Sequence, residues 1–163
     1  MMLQATQTRR ITQTMPMIAP QQAFHRDFPV HDHTGVKLRL EELAGENGLL
    51  MGFVGEIWSP VNIQRILWLQ KHAYGIQRSG CNVALVVRDE PHMLYGFYVS
   101  SLTPPPFPLL EDMSGEVHAA FEMGEAAGLV LLDRQMMIRQ RWQMTEERIW
   151  PRIHDVQMMV EAI

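Results

Sequence analysis

Hydrophobic positions recur with period two from Phe28 to Leu40, where Phe28 and Val30, then Val36, Leu38 and Leu40, alternate with polar neighbours on either side of HDHTG. This pattern predicts a β-hairpin turning at HDHTG, with Leu43 and Ala44 closing a short helical turn after it. The run GLLMGFV that follows has no polar face at all, which is the mark of a strand covered on both sides within a parallel sheet. From Pro60 to about Ser79 the period lengthens, and Ile63, Ile66, Leu67, Ala73 and Tyr74 mark the buried face of a helix. Ser59 stands at its N-cap and Pro60 at its first position, where a missing N–H costs nothing. CNVALVV is a second continuous strand, so the three elements make a right-handed crossover with parallel strands.

Beyond it the pattern predicts a helix over about 91–99, then a rigid loop, TPPPFPLLED, since three consecutive prolines fit neither a helix nor a central strand. Residues 115–123 read as a short helix ending at Gly124, and GLVLLD as a third buried strand. In MMIRQRWQM, Met137, Arg139 and Arg141 alternate with Ile138, Gln140 and Trp142, which suits a half-exposed antiparallel strand. Ile149, Ile153, Val156, Val160 and Ile163 then mark a C-terminal helix, with Pro151 in its first turn or at a kink. Residues 1–22, rich in Gln, Thr and Met and broken by Pro16 and Pro20, follow neither period and are expected to form a flexible N-terminal arm. Residues 23–163 are expected to form one domain. There is no internal repeat, and the order of elements predicts an α/β fold, a mixed β-sheet with helices on both faces and an N-terminal β-hairpin.

Composition narrows the function classes. The 163 residues, 47% apolar and 20% charged, suffice for one domain with a full core. A net charge of −4 without a basic face argues against nucleic acid or an anionic lipid surface as a partner. The apolar runs fall far short of the roughly 20 residues of a membrane span. No continuous hydrophobic segment follows Arg9 and Arg10, so no secretory signal is expected and a cytoplasmic location is. The single cysteine, Cys81, excludes an intrachain disulfide and any cysteine-built metal site. No cofactor and no metal are expected.

The chemistry, if there is any, centres on the strand-to-helix junction FVGEIWSPVNIQ. The order of elements and three local words around it resemble the alkyl hydroperoxide reductase / thiol-specific antioxidant family, the peroxiredoxins, over about residues 24–163. DFPVHDHTGVKLRLEELAG resembles the family's N-terminal hairpin, PFPLLEDMSGEVHAAFEMG its PFPLLSDxxGxVAxxYG segment, and GLVLLD its penultimate strand region ending in Ile-Asp. The resemblance implies a thioredoxin-like three-layer sandwich and, in the family, reduction of hydroperoxides. It also implies a site of the form Pro-x-x-x-Thr/Ser-x-x-Cys, whose thiolate attacks the peroxide with support from the helix N-terminus and an arginine.

Laid on this chain, Gly55 stands at the proline, Ser59 at the Thr/Ser position and Asn62 at the cysteine. The arginine position falls at Ala127, and no residue from Glu125 to Leu132 is an arginine, so the supporting positive charge is expected to be gone. Read instead as a thioredoxin Cys-x-x-Cys site, the junction has Ser59 and Asn62 for the cysteines, with Gly128 where a proline is usual. A neutral amide is not a nucleophile. Hydroperoxide reduction is therefore expected to be absent.

Other residues compete for a role. Cys81 reads as the buried first residue of a strand in preference to an alternative peroxidatic or mixed-disulfide thiol. His31, Asp32 and His33 carry metal-ligand chemistry but read better as a solvated turn. The 13 methionines read as packing rather than oxidation sensors. Trp58 is expected to wall the former pocket and Ser59 to cap the helix. Trp58, Ser59 and Asn62 would then line a remnant pocket where free N–H groups could take a small carboxylate or sulfate. The resemblance implies a homodimer or another protein partner, with Trp58, Phe97 and Tyr98 contributing contact surface.

Overall fold

The continuous apolar runs become the middle of a seven-stranded sheet in a computed structural model that describes residues 27–144 and 149–163. The arm expected over residues 1–22 lies outside the described residues. In chain order the elements are β1 (Pro29–Asp32), β2 (Lys37–Arg39), α1 (Leu40–Leu43), β3 (Gly48–Val54), α2 (Pro60–Arg78), β4 (Cys81–Val87), α3 (Pro91–Ser100), β5 (Leu109–Glu111), α4 (Glu116–Ala120), β6 (Ala127–Leu132), β7 (Ile138–Met144) and α5 (Ile153–Ala162). The strands lie in the order β2-β1-β5-β4-β3-β6-β7. The pairs β3–β4 and β4–β5 are parallel, and β3–β6, β6–β7, β1–β5 and β1–β2 are antiparallel.

Period-two side-chain placement splits the sheet's apolar residues between two cores. Leu50, Leu85 and Leu129 face one side, where Ile66, Leu69, Ala73 and Ile76 of α2, Leu94 and Phe97 of α3, and Val156 and Val160 of α5 cover them. Met51, Phe53, Val86 and Val130 face the other, under Val117 of α4, Phe121, Leu40 and the hairpin residue Val30. The result is the three-layer sandwich expected, with the heavier helical layer on the α2 side.

Three local expectations are corrected. The loop expected at TPPPFPLLED contains β5, inserted between β1 and β4: the prolines end at Pro108, and the three residues after them are free to pair. Such a short strand leaves no measurable alternation. The C-terminal helix starts at Ile153, so Ile149 and Pro151 precede it and Pro151 neither opens nor kinks it. The buried face of α2 is rotated from the one expected. Leu67 and Tyr74 are exposed, while Asn62, Arg65, Ile66, Leu69, Ala73 and Ile76 are buried.

One polar pair pins β5 to α4 inside the second core. Asp112 is 2% exposed and accepts hydrogen bonds from the backbone N–H groups of Val117 (2.9 Å) and His118 (2.8 Å), and its Oδ2 lies 2.7 Å from His118 Nδ1. The His118 ring packs edge-on to Phe53, 5.1 Å between centroids. Burial pushes the Asp112 carboxyl up, but the hydrogen bonds from His118 and the two N–H groups outweigh it and hold the pKa below the ordinary carboxylate range.

A depressed folded pKa adds stability above the unfolded value of about 3.9 and loses it as pH falls through the folded one. Replacing Asp112 by Asn should cost about 2 kcal/mol at neutral pH. In urea unfolding followed from pH 7 to pH 2, the gap between the two proteins should close below about pH 4. A gap that stays constant to the lowest pH would mean that the charge of Asp112 contributes nothing.

Candidate functional site

The end of β3 and the first turn of α2 are joined by Gly55-Glu56-Ile57-Trp58-Ser59, and the main-chain groups of this turn are fixed before any side chain is considered. The Ile57 N–H donates to Asp89 Oδ2 (3.0 Å) and the Ser59 N–H to the Glu56 carbonyl (3.3 Å). The Ser59 carbonyl accepts from Ile63 N–H (2.9 Å), the first bond of α2. Ser59 is the N-cap by position, but its hydroxyl makes no capping hydrogen bond. That corrects the side-chain role expected for it.

The side chain that the resemblance aligns with the family's cysteine is held at both ends. Asn62 Nδ2 donates to the Glu56 carbonyl (2.8 Å), and Asn62 Oδ1 accepts from Arg65 Nη1 (3.1 Å). Arg65 Nε donates to the Ile149 carbonyl (3.0 Å), and the Trp150 indole N–H donates to the Arg65 carbonyl (2.8 Å). The guanidinium lies 5.8 Å from the Trp150 ring centroid, within reach of a cation–π contact. Asn62 and Arg65 are 6% and 5% exposed. Burial pulls the Arg65 pKa below its ordinary value, yet a guanidinium keeps its charge at any physiological pH.

These groups open onto a cavity of about 500 Å³. Gly55, Asn62 and Ala127, three positions singled out on sequence, line it together, although 65 residues separate Asn62 from Ala127. Among the described residues, Val61, Arg65, Glu125, Ala126 and Met144 also line it. A Cβ on Gly55 would meet Asn62 Nδ2 at 3.5 Å, ordinary contact, so the missing side chain there widens the cavity instead of relieving a clash.

The positive charge expected to be gone is present. It comes from Arg65 on α2, not from the strand that carries Ala127. The sequence contains a signal for it: Arg65 is three residues after Asn62 and shares its helical face, which a hydrophobic face drawn through Leu67 and Tyr74 hides.

Trp58 takes no part in the cavity. It is 48% exposed and packs edge-on to Phe97, 5.1 Å between centroids, so it does not wall the pocket. Phe97 itself is buried, and Tyr98 stacks on His33 at 3.9 Å, so Trp58, Phe97 and Tyr98 do not form one exposed surface. The exposed apolar residues of that region are Tyr95, Val99 and Leu102, spaced along and just past α3. The HDH segment lies partly inside β1. Asp32 Oδ1 accepts from the N–H groups of Thr34 and Val36 and from the Thr34 hydroxyl, closing the hairpin turn.

Cys81 opens β4 opposite Gly48, at the far end of α2 from Asn62. At 1.5 Å per residue the helix carries the chain about 24 Å between Asn62 and Arg78. The thiol is fully buried, 3.7 Å from the Asn82 carbonyl, and burial pushes its pKa up to about 12. A thiol in that state is neither ionised nor reachable.

The profile of the AhpC/TSA family matches residues 21–142. Among solved structures, the peroxidoxin BcpB of Mycobacterium tuberculosis aligns with a TM-score of 0.74 at 16% identity, covering 88% of this chain and 97% of its own. The AhpC of Enterococcus faecalis aligns with a TM-score of 0.76 at 17% identity, covering 90% and 92%. The bacterioferritin comigratory protein of Xanthomonas campestris, whose structure was described for its alkyl peroxide reduction, aligns at 0.69 and 18%, covering 84% and 90%. No curated protein sequence matches significantly.

Proposed function

From the premise that this chain belongs to the AhpC/TSA family, we propose that it is a peroxiredoxin-like protein that has lost hydroperoxide reduction and acts by binding or association. The observation that carries the reading is Asn62: the side chain aligned with the family's nucleophile is an amide, fixed by hydrogen bonds to Glu56 and Arg65. Peroxide reduction in a site of this kind needs a thiolate whose sulfur attacks one peroxide oxygen while the other leaves as water or alcohol. The amide has no electron pair of comparable nucleophilicity to offer. The chain's one thiol, on Cys81, is buried at the other end of α2 and pushed up to about 12.

The test is peroxide consumption by the full chain, with hydrogen peroxide and cumene hydroperoxide and a dithiol reductant. Consumption should stay at the protein-free rate and be unchanged by Cys81→Ser. Turnover that disappears in Cys81→Ser would replace this reading with a thiol-dependent oxidoreductase working through Cys81. Turnover that appears only when a second, thiol-bearing protein is added would assign the thiol to a partner.

A further inference from the structure

We propose that Asn47-Gly48 is a self-modifying site: once the turn that holds it opens, the Gly48 nitrogen closes on the Asn47 side chain, ammonia leaves, and the resulting carboxylate keeps the turn from closing again. Of the chain's three asparagines, Asn47 alone precedes a glycine; Ile63 follows Asn62 and Val83 follows Asn82. Attack by a backbone nitrogen on the preceding side-chain carbonyl is hindered by a branched residue and unhindered by glycine, which has no Cβ.

The fold demands both residues of the pair. Gly48 opens β3 with a φ of 139°, which residues with a Cβ rarely adopt, and a Cβ there would collide with the Leu132 carbonyl of β6. Asn47 is half-buried. Its Nδ2 donates to the Ser79 carbonyl (2.9 Å) and its backbone N–H to the Gly80 carbonyl (2.8 Å), so it clasps the turn that follows α2. Gly80 leaves room for it, since a Cβ on that residue would lie 2.5 Å from Asn47 Nδ2. Neither an amide at 47 nor a glycine at 48 can be exchanged without loss, so the structure keeps a chemically labile pair.

While the clasp is closed, both reacting groups are engaged elsewhere. The side-chain amide is on Ser79, and the buried Gly48 N–H donates to the Gly45 carbonyl (3.3 Å). Opening releases both. A bond then forms between the Gly48 nitrogen and Asn47 Cγ, the bond from Cγ to the amide nitrogen breaks, and the Gly48 proton leaves with that nitrogen as ammonia. Water opens the cyclic imide to an aspartate or an isoaspartate.

The new carboxylate has no N–H to offer Ser79. It also stands at the C-terminal end of a 19-residue helix, where the peptide dipoles disfavour negative charge. Cys81 follows Gly80 directly and pairs with Gly48 across β3 and β4. A turn that stays open uncovers this buried thiol, which therefore reports the modification.

The full chain is kept in mildly alkaline buffer with and without unfolding concentrations of urea, and its digests are followed by mass spectrometry and an isoaspartate assay. Asn47 should convert in urea ahead of Asn62 and Asn82, and at least about tenfold more slowly in the folded chain. Alkylation of Cys81 by a slow reagent, which tracks the open population, should be about tenfold faster in Asn47→Asp than in the parent. Asn47→Ala, which loses the bond without adding the charge, should fall between. Should Asn47→Asp not fold, the same labelling is read on Asn47→Ala and on the modified fraction of the aged parent chain. Conversion as fast in the folded chain as in urea, no conversion of Asn47 in urea, or a modified chain whose Cys81 reacts no faster than the parent's would each overturn the proposal.

Discussion

Asn62→Cys, made in a Cys81→Ser background, should consume peroxide, where the parent protein is expected to leave it untouched. The new sulfur would replace an amide whose oxygen lies 3.1 Å from Arg65 Nη1, in the first turn of a 19-residue helix. Both features stabilise the thiolate over the thiol. Burial opposes them, as it does without compensation at Cys81, whose pKa is pushed up to about 12. Near a fixed guanidinium the charged form wins, and the thiol at position 62 should titrate about one unit or more below the free value of about 8.5.

The sulfur of that thiolate would attack one peroxide oxygen and become a sulfenic acid, while the other oxygen departs with a proton as water or alcohol. An added thiol would then reduce the sulfenic acid through a mixed disulfide, since the variant carries no second cysteine. Thiolate absorbance against pH and peroxide consumption at pH 7 measure the two halves of the expectation. Adding Arg65→Gln should raise the thiol pKa and remove most of the gained rate. An introduced thiol that titrates at or above the free value would show that Arg65 does not supply the electrostatic support assigned to it.

That expectation depends on a residue the sequence reading overlooked, for a definite reason. The central strands were legible because GLLMGFV and CNVALVV are buried on both faces and therefore have no polar alternation to misread. The junction was legible because its turn and its proline are written locally. Gly55, Asn62 and Ala127 could be brought together from a resemblance, and the structure places all three on one cavity. Arg65 was lost because hydrophobic phasing assigns charged residues to the solvent side. Here the helix buries Asn62 and Arg65 beside its apolar stripe and leaves Leu67 and Tyr74 outside. A polar pair bonded to itself and to the Ile149 carbonyl satisfies the rule that buried polar groups need partners, and no periodicity can reveal a partner 84 residues away. β5 failed for the opposite reason: at three residues it is too short to carry a pattern, and its place in the sheet comes from its neighbours.

The same limit applies to glycines, which look alike in sequence and differ completely in their surroundings. Gly128→Ala should lower stability by about 3 kcal/mol or more, a large part of the roughly 5–15 kcal/mol typical of a folded domain. Gly128 sits on β6 between Phe53 of β3 and Gln143 of β7. A methyl group there would collide with the Trp142 carbonyl oxygen and lie 2.5 Å from Met123 Cε. The methionine tip can swing aside, but the carbonyl belongs to the backbone of β7, so relief requires separating two paired strands next to Ala127. Gly96, within α3, has nothing within 4 Å of its would-be Cβ. Gly96→Ala should therefore be neutral or stabilise by up to about 1 kcal/mol, through the helix propensity and the reduced freedom of the unfolded chain. Urea unfolding of the two variants beside the parent protein measures the contrast. A loss below about 1 kcal/mol for Gly128→Ala, similar to an ordinary surface change, would mean that β7 moves as a loose edge strand. The wall it gives the cavity through Met144 would then be movable too.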